Sequence, residues 1–123
     1  MEKTIQEETK ESFENFIDDE LIELLEKAEK GNDEESEEAR QRITEMPLEV
    51  ATGKDFNGTR TFMILLGTGG PAMRITGDLD EYDQPEQAVY QFQNWGTKWT
   101  SANATKKEEK ILLDFARYFY FEE

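Results

Sequence analysis

The chain contains no cysteine and no histidine. The first absence removes disulfides, thiolate nucleophiles and thiolate metal sites. The second removes the commonest general base, every Ser-His triad and most zinc or iron chemistry. Cations are scarce: 14 Lys and Arg stand against 29 Asp and Glu, for a formal charge of −15 and a pI near 4.4. That balance argues against direct binding to nucleic acid or to a membrane surface, since both are polyanions. Long apolar runs are missing as well. The longest, Phe62-Met63-Ile64-Leu65-Leu66, is five residues, far short of the roughly 20 needed to span a bilayer. The N-terminal stretch Met1-Glu2-Lys3-Thr4-Ile5-Gln6-Glu7-Glu8 carries no apolar segment of the secretory kind. A cytoplasmic, soluble protein is expected, with no cofactor called for by any motif.

What is present suits one domain. The 123 residues allow a single compact unit, 1–123. Hydrophobic and charged residues are nearly equal, at 36% and 35%, but eight Phe, four Tyr and two Trp supply large buriable area, so folding is expected rather than disorder. The charge is uneven. Residues 1–46 hold 17 acidic and 6 basic side chains, residues 47–104 hold 7 and 4, and residues 105–123 hold 5 and 4. Nearly three-quarters of the net charge therefore sits in the first third of the chain.

That third reads as helical. Phe13, Phe16, Ile17, Leu21, Leu24, Leu25 and Ala28 recur at spacings of three and four and form one apolar stripe. Its centre falls near Leu24, Phe13 and Ile17. Glu8, Glu11, Asp18, Asp19, Glu23, Glu26 and Glu29 fall mostly opposite. Gly31-Asn32 suits a left-handed helix end, and Asp33 suits the N-cap of a second helix carrying Ala39, Ile43 and Met46 before Pro47. Helices over 6–30 and 34–45, joined as a hairpin, are predicted.

Beyond Pro47 the period shifts toward two. Leu48-Glu49-Val50-Ala51 alternates briefly, and Lys54-Asp55-Phe56-Asn57-Gly58 is turn chemistry. Residues 59–66, β-branched and aromatic, predict a central strand buried on both faces. A Gly67-Thr68-Gly69-Gly70-Pro71 turn returns the chain through 72–77 as a hairpin. The segment 78–85 is a polar acidic loop. Residues 88–95 place Ala88, Tyr90, Phe92 and Asn94 on one face, and 97–100 can extend the meander. A last helix is predicted over 106–120, with Ile111, Leu112, Phe115, Ala116 and Phe119 on one face. The expected fold is α+β: an N-terminal acidic helical hairpin, a three- to four-stranded antiparallel meander and a C-terminal helix packed on the sheet. Its core should include Phe62, Ile64, Leu66, Ile75, Phe92, Leu112, Phe115 and Phe119.

Catalytic motifs are weak. Gly67-Thr68-Gly69-Gly70 lacks the Lys-Ser or Lys-Thr of a P-loop and leads into a strand, so a plain turn is the better reading. Asp78 and Asp80 lack the calcium-loop pattern. Ser12, Ser36 and Ser101 have no histidine to activate them. An enzyme is therefore not expected. Trp95 and Trp99 flank Gly96-Thr97-Lys98, with only Lys98 and Arg74 as nearby cations, which is too little charge for a nucleic-acid groove. At least one Trp should pack in the core, and the other could anchor a partner.

The segments Thr68-Gly69-Gly70-Pro71-Ala72, Arg74-Ile75, Gly77, Leu79-Asp80-Glu81, Gln93-Asn94-Trp95-Gly96-Thr97-Lys98-Trp99-Thr100 and Phe119-Tyr120-Phe121 together resemble a group of short phage and mobile-element proteins, most without assigned activity. The resemblance covers 59–121, excludes the acidic hairpin and carries no catalytic residue. That group more often has Asp where this chain has Asn94 and Pro where it has Lys98. The resemblance implies mobile-element company, where small acidic proteins block host defence nucleases.

The acidic helices fit that implication. Like charges at i, i+3 or i+4 cost roughly 0.2–0.5 kcal/mol per pair, and neighbouring carboxylates lie about 5–6 Å apart at Cβ, comparable in scale to phosphate spacing. Such a face can occupy a Lys/Arg-lined groove and displace nucleic acid. A solvated face that keeps the protein soluble is the plainer reading. The expectation is an anti-defence inhibitor in the host cytoplasm. It would bind a basic, nucleic-acid-binding protein, either a CRISPR effector or a restriction enzyme. The contact residues would be Glu8, Glu11, Asp18, Asp19, Glu23, Glu26, Glu34, Glu35, Glu37 and Glu38. A rival contact surface uses Asp80, Tyr82 and Trp99 on the sheet-side loops. The alternative function is an antitoxin or immunity-type protein capping one basic toxin. Oligomeric state is open.

Overall fold

In the computed structural model, which describes residues 3–121, the chain is α+β, with N-terminal helices, a strand meander and a C-terminal helix. Three helices lead: α1 (Ile5–Phe16), α2 (Asp19–Glu29) and α3 (Glu34–Glu45). Five strands follow, β1 (Glu49–Lys54), β2 (Arg60–Gly67), β3 (Ala72–Asp78), β4 (Val89–Gln93) and β5 (Thr100–Ser101). They lie in sequence order, each antiparallel to the next. The last element is α4 (Lys106–Ala116).

The helix predicted over 6–30 is two helices. Ile17 leaves helical geometry (φ −89°, ψ 42°), and Asp18 is extended, its carboxylate accepting a hydrogen bond from the Leu21 N–H as the N-cap of α2. The break has a packing reason. One 25-residue helix would run ~37 Å, longer than this small sheet can cover. After the break α1 lies on β4 and β5, while α2 packs on α3. The apolar stripe is re-aimed with it. Phe13, Leu21, Leu25 and Ala28 are buried, whereas Ile17 and Leu24, placed at its centre by a single-helix wheel, are only half-buried. The second helix matches its predicted span, with Asp33 as its N-cap, and Gly31 takes a positive φ of 142° between the two.

The sheet has five strands rather than three or four, because the short segments near 48–51 and 97–100 both pair. β2 is second in order, with β3 central, and β2 is not buried on both faces. Phe62 and Ile64 are buried, but Thr61, Met63 and Leu65 are half-buried. Among the described residues, helices cover one face. Register sets Ile64 beside Ile75 and Ile75 beside Tyr90 on that inner face. Leu65, Arg74 and Gln91 align on the outer one.

The inner face and the helices close over one aromatic core. Phe13 and Phe16 from α1 pack on Tyr90, with centroids 5.3 and 5.5 Å away, and Phe16 meets Phe115 edge-on at 5.2 Å. The Tyr90 hydroxyl and Ser12 Oγ hydrogen-bond at 2.7 Å, and burial pushes the Tyr90 phenol pKa up. Thr105 and Glu108 form a capping box at the start of α4. That helix ends at Ala116, not near 120. The chain then turns so that Phe121 is buried against Phe62, 5.0 Å between centroids. Arg60 holds this tail by donating to the Phe121 carbonyl at 2.9 Å and pairing with Asp83. Of the eight expected core residues, Leu66 and Phe119 are half-buried because they border the cluster, and the other six are buried.

Candidate functional site

The residues singled out from the sequence fall into an acidic helical set and a set on the sheet-side loops. The first lies mostly on the α2–α3 hairpin. Asp19, Glu23 and Glu26 share one side of α2 by their spacing, opposite the buried Leu21, Leu25 and Ala28. Glu34 and Glu38, flanked by Glu35 and Glu37, share the side of α3 opposite Ser36, Ala39 and Ile43. Asp33, Glu34, Glu35 and Glu38 line an open acidic hollow at the start of α3.

Cations on the hairpin are mostly engaged in holding it together. Arg40 turns inward and donates to the Ala28 and Gly31 carbonyls at 2.7 and 2.8 Å, capping α2. Lys27 bridges Glu23 at 3.5 Å and Glu35 at 3.6 Å, and Arg42 reaches Glu20 at 3.8 Å. Asp19, Glu26, Glu34, Glu37 and Glu38 are exposed and pair with no cation among the described residues. The Asp33 carboxyl is held below the usual range by hydrogen bonds from Ser36. Asp18 serves as a cap.

Glu8 and Glu11 lie apart from this face, on α1. Glu8 is half-buried and accepts from the Asn94 amide at 3.3 and 3.4 Å, and Glu11 pairs with Lys3 at 2.6 Å. The break at Ile17–Asp18 therefore divides the ten acidic residues between two bodies of helix.

The rival set also divides. Asp80 accepts from the Tyr82 and Gln84 N–H groups at 2.8 and 3.0 Å, closing its own loop. Tyr82 is 76% exposed beside Phe119, Tyr120 and Phe121. Trp99 belongs to the other end of the sheet. From Arg74, beside Trp99, to Asp80 is six residues of extended chain, ~20 Å, so no single partner side chain touches both.

Neither Trp is a core residue, contrary to the expectation for at least one. Trp95 is 81% exposed, its indole lying against Gly70, where a Cβ would collide with it. Trp99 is half-buried on the outer face, under the Arg74 guanidinium 4.0 Å from its ring centroid. The reason is topological: Trp95 lies in the turn that follows β4, and Trp99 faces the side of the sheet opposite Ile75 and Tyr90. Gln91 and Ser101 complete this cluster; Gln91 was not singled out from sequence, and Ser101 was considered there only as a nucleophile. The available signal was alternation, which turns Arg74 away from the side of Ile75.

Asp78 accepts from the Gln87 amide at 2.8 Å. Among the described residues, no group of three or more His, Cys, Asp or Glu is arranged to hold a metal ion, and no helix is long and apolar enough to cross a membrane. No protein-family model, curated protein or solved structure matches this chain.

Proposed function

We propose that the protein is an anti-defence inhibitor of phage or mobile-element origin. In this reading it acts in the host cytoplasm and uses the α2–α3 hairpin to occupy the basic, nucleic-acid-binding surface of a host CRISPR effector or restriction enzyme. The observation that carries this reading is the row of five exposed carboxylates, Asp19, Glu26, Glu34, Glu37 and Glu38, left without cations while Arg40, Lys27 and Arg42 are spent on the hairpin itself. A Lys/Arg-lined groove would supply the missing partners, with electrostatic steering of the encounter. Narrowing the contact to α2–α3 follows from the helix break, which puts Glu8 and Glu11 elsewhere.

The test adds the purified protein to DNA-cleavage reactions of CRISPR nucleases and restriction enzymes. For any enzyme inhibited, competition with DNA and dependence on salt are measured. Mimicry requires that bound DNA and inhibitor exclude one another and that affinity fall steeply with salt. Asp19→Asn with Glu23→Gln and Glu26→Gln should weaken inhibition, as should Gln at Glu34, Glu35, Glu37 and Glu38, without loss of helix content. Full inhibition by the neutralised hairpin would remove the mimic reading. A bound target that is a toxin, with no competition by nucleic acid, would replace it with the antitoxin reading.

A further inference from the structure

The outer sheet face carries a charged group that the hairpin does not use. The half-buried Arg74 guanidinium is stacked on Trp99, and its Nε donates to Gln91 Oε1 at 2.8 Å. The Gln91 amide in turn donates to Ser101 Oγ at 3.2 Å. The fork is thus oriented across β3, β4 and β5, and its two Nη groups make no hydrogen bond among the described residues. Burial lowers its pKa, with no nearby charge contributing. In a chain with 29 Asp and Glu side chains, none of the described ones pairs with this partly desolvated cation. Its immediate neighbours on the same face are uncharged, Leu65 across β2 and Gln91 across β4, with Val89 one step further along; Glu49 lies one strand beyond Leu65 and forms no ion pair with Arg74.

We propose that this face docks a partner protein segment presenting a carboxylate between aliphatic side chains. The carboxylate would take the two free Nη groups of Arg74, and the aliphatic groups would cover Leu65, Val89 and Trp99. A guanidinium already fixed by stacking and by its Nε loses little freedom when it binds, and its fork matches a carboxylate in shape as well as charge. A polyphosphate is the poorer fit, because its several negative charges would meet only Arg74 and Lys98, whereas one carboxylate matches the single fork.

The experiment follows the Arg74 Nε–H and the Trp95 and Trp99 indole N–H signals by NMR in the full chain. The probe is acetyl-Leu-Glu-Leu-amide, with acetyl-Leu-Gln-Leu-amide as its neutral control. Saturable shifts of Arg74 and Trp99 are expected with the acidic peptide, and roughly tenfold weaker binding by the neutral one. Arg74→Gln should abolish the effect. Arg74→Lys, which keeps the charge but not the fork, should weaken it severalfold. Equal binding of both peptides, or undiminished binding to both variants, would overturn the proposal. So would a stronger response to inorganic phosphate at matched ionic strength, or the same shifts appearing on concentrating the protein alone, which would mean a second copy. The hairpin variant Asp19→Asn, Glu23→Gln, Glu26→Gln should bind the peptide normally, so this result and the hairpin result can fail independently.

Discussion

Tyr90→Phe tests how α1 is fastened to the sheet. The substitution removes one hydroxyl and leaves the ring that Phe13 and Phe16 pack against, so the main loss is the 2.7 Å hydrogen bond to Ser12 Oγ, with a longer 3.5 Å contact to the Ser12 carbonyl. A neutral intramolecular hydrogen bond contributes about 0.5–1.5 kcal/mol net, and Ser12 can turn back to a helix carbonyl, so a loss near 1 kcal/mol is expected. A double-mutant cycle with Ser12→Ala, read by urea unfolding, should return a coupling of the same size. The phenol adds a pH signature. Its pKa is raised by burial. Below about pH 10 it is neutral in both states; above, the unfolded chain ionises first and is favoured. The wild type should therefore lose stability relative to Tyr90→Phe as pH rises past 10, by at most about 1.4 kcal/mol at pH 11. Tyr118 shifts in the same direction but is present in both proteins and cancels. A coupling below about 0.3 kcal/mol, together with identical alkaline profiles, would refute the reasoning.

Leu112 is fully buried in α4, and Leu112→Ala should cost about 2–5 kcal/mol through the cavity it leaves; a change under about 1 kcal/mol in urea would contradict that placement. At Gly77 a Cβ would collide with the Gln87 carbonyl and the Phe62 ring, so Gly77→Ala should destabilise by about 1–3 kcal/mol or more, read as a lowered melting temperature, and a neutral outcome would mean the 78–88 loop is free to shift. Like charge crowds α2 and α3, so the melting temperature should rise from low to moderate sodium chloride as repulsion is screened, and a flat or falling curve would show the acidic face to be internally compensated.

Much of the architecture was legible because local chemistry dictates it. Asp33, Gly31 and Pro47 bound α3 through capping and backbone geometry that any surroundings would respect. Alternation in 88–93 placed Tyr90 and Phe92 inward, since side chains on a strand take opposite faces. The acidic faces of α2 and α3 followed from spacing alone.

Other features were decided by tertiary structure. Periodicity through 13–28 is nearly continuous, and the break at Ile17, with Asp18 as a cap, goes with α1 packing on β4 and β5 while α2 packs on α3. Strand order and the bare outer face depend on which side the helices cover, and that is a property of the assembled layers. It leaves Trp95 and Trp99 outside the core despite their size, brings Arg74 over Trp99 across two strand pairings, and separates Asp80 and Tyr82 from Trp99 by the length of the sheet. Short-range propensity is set by each residue and its neighbours in sequence. Which faces meet, and which carboxylates find a cation, depends on distances that exist only after the chain has closed on itself.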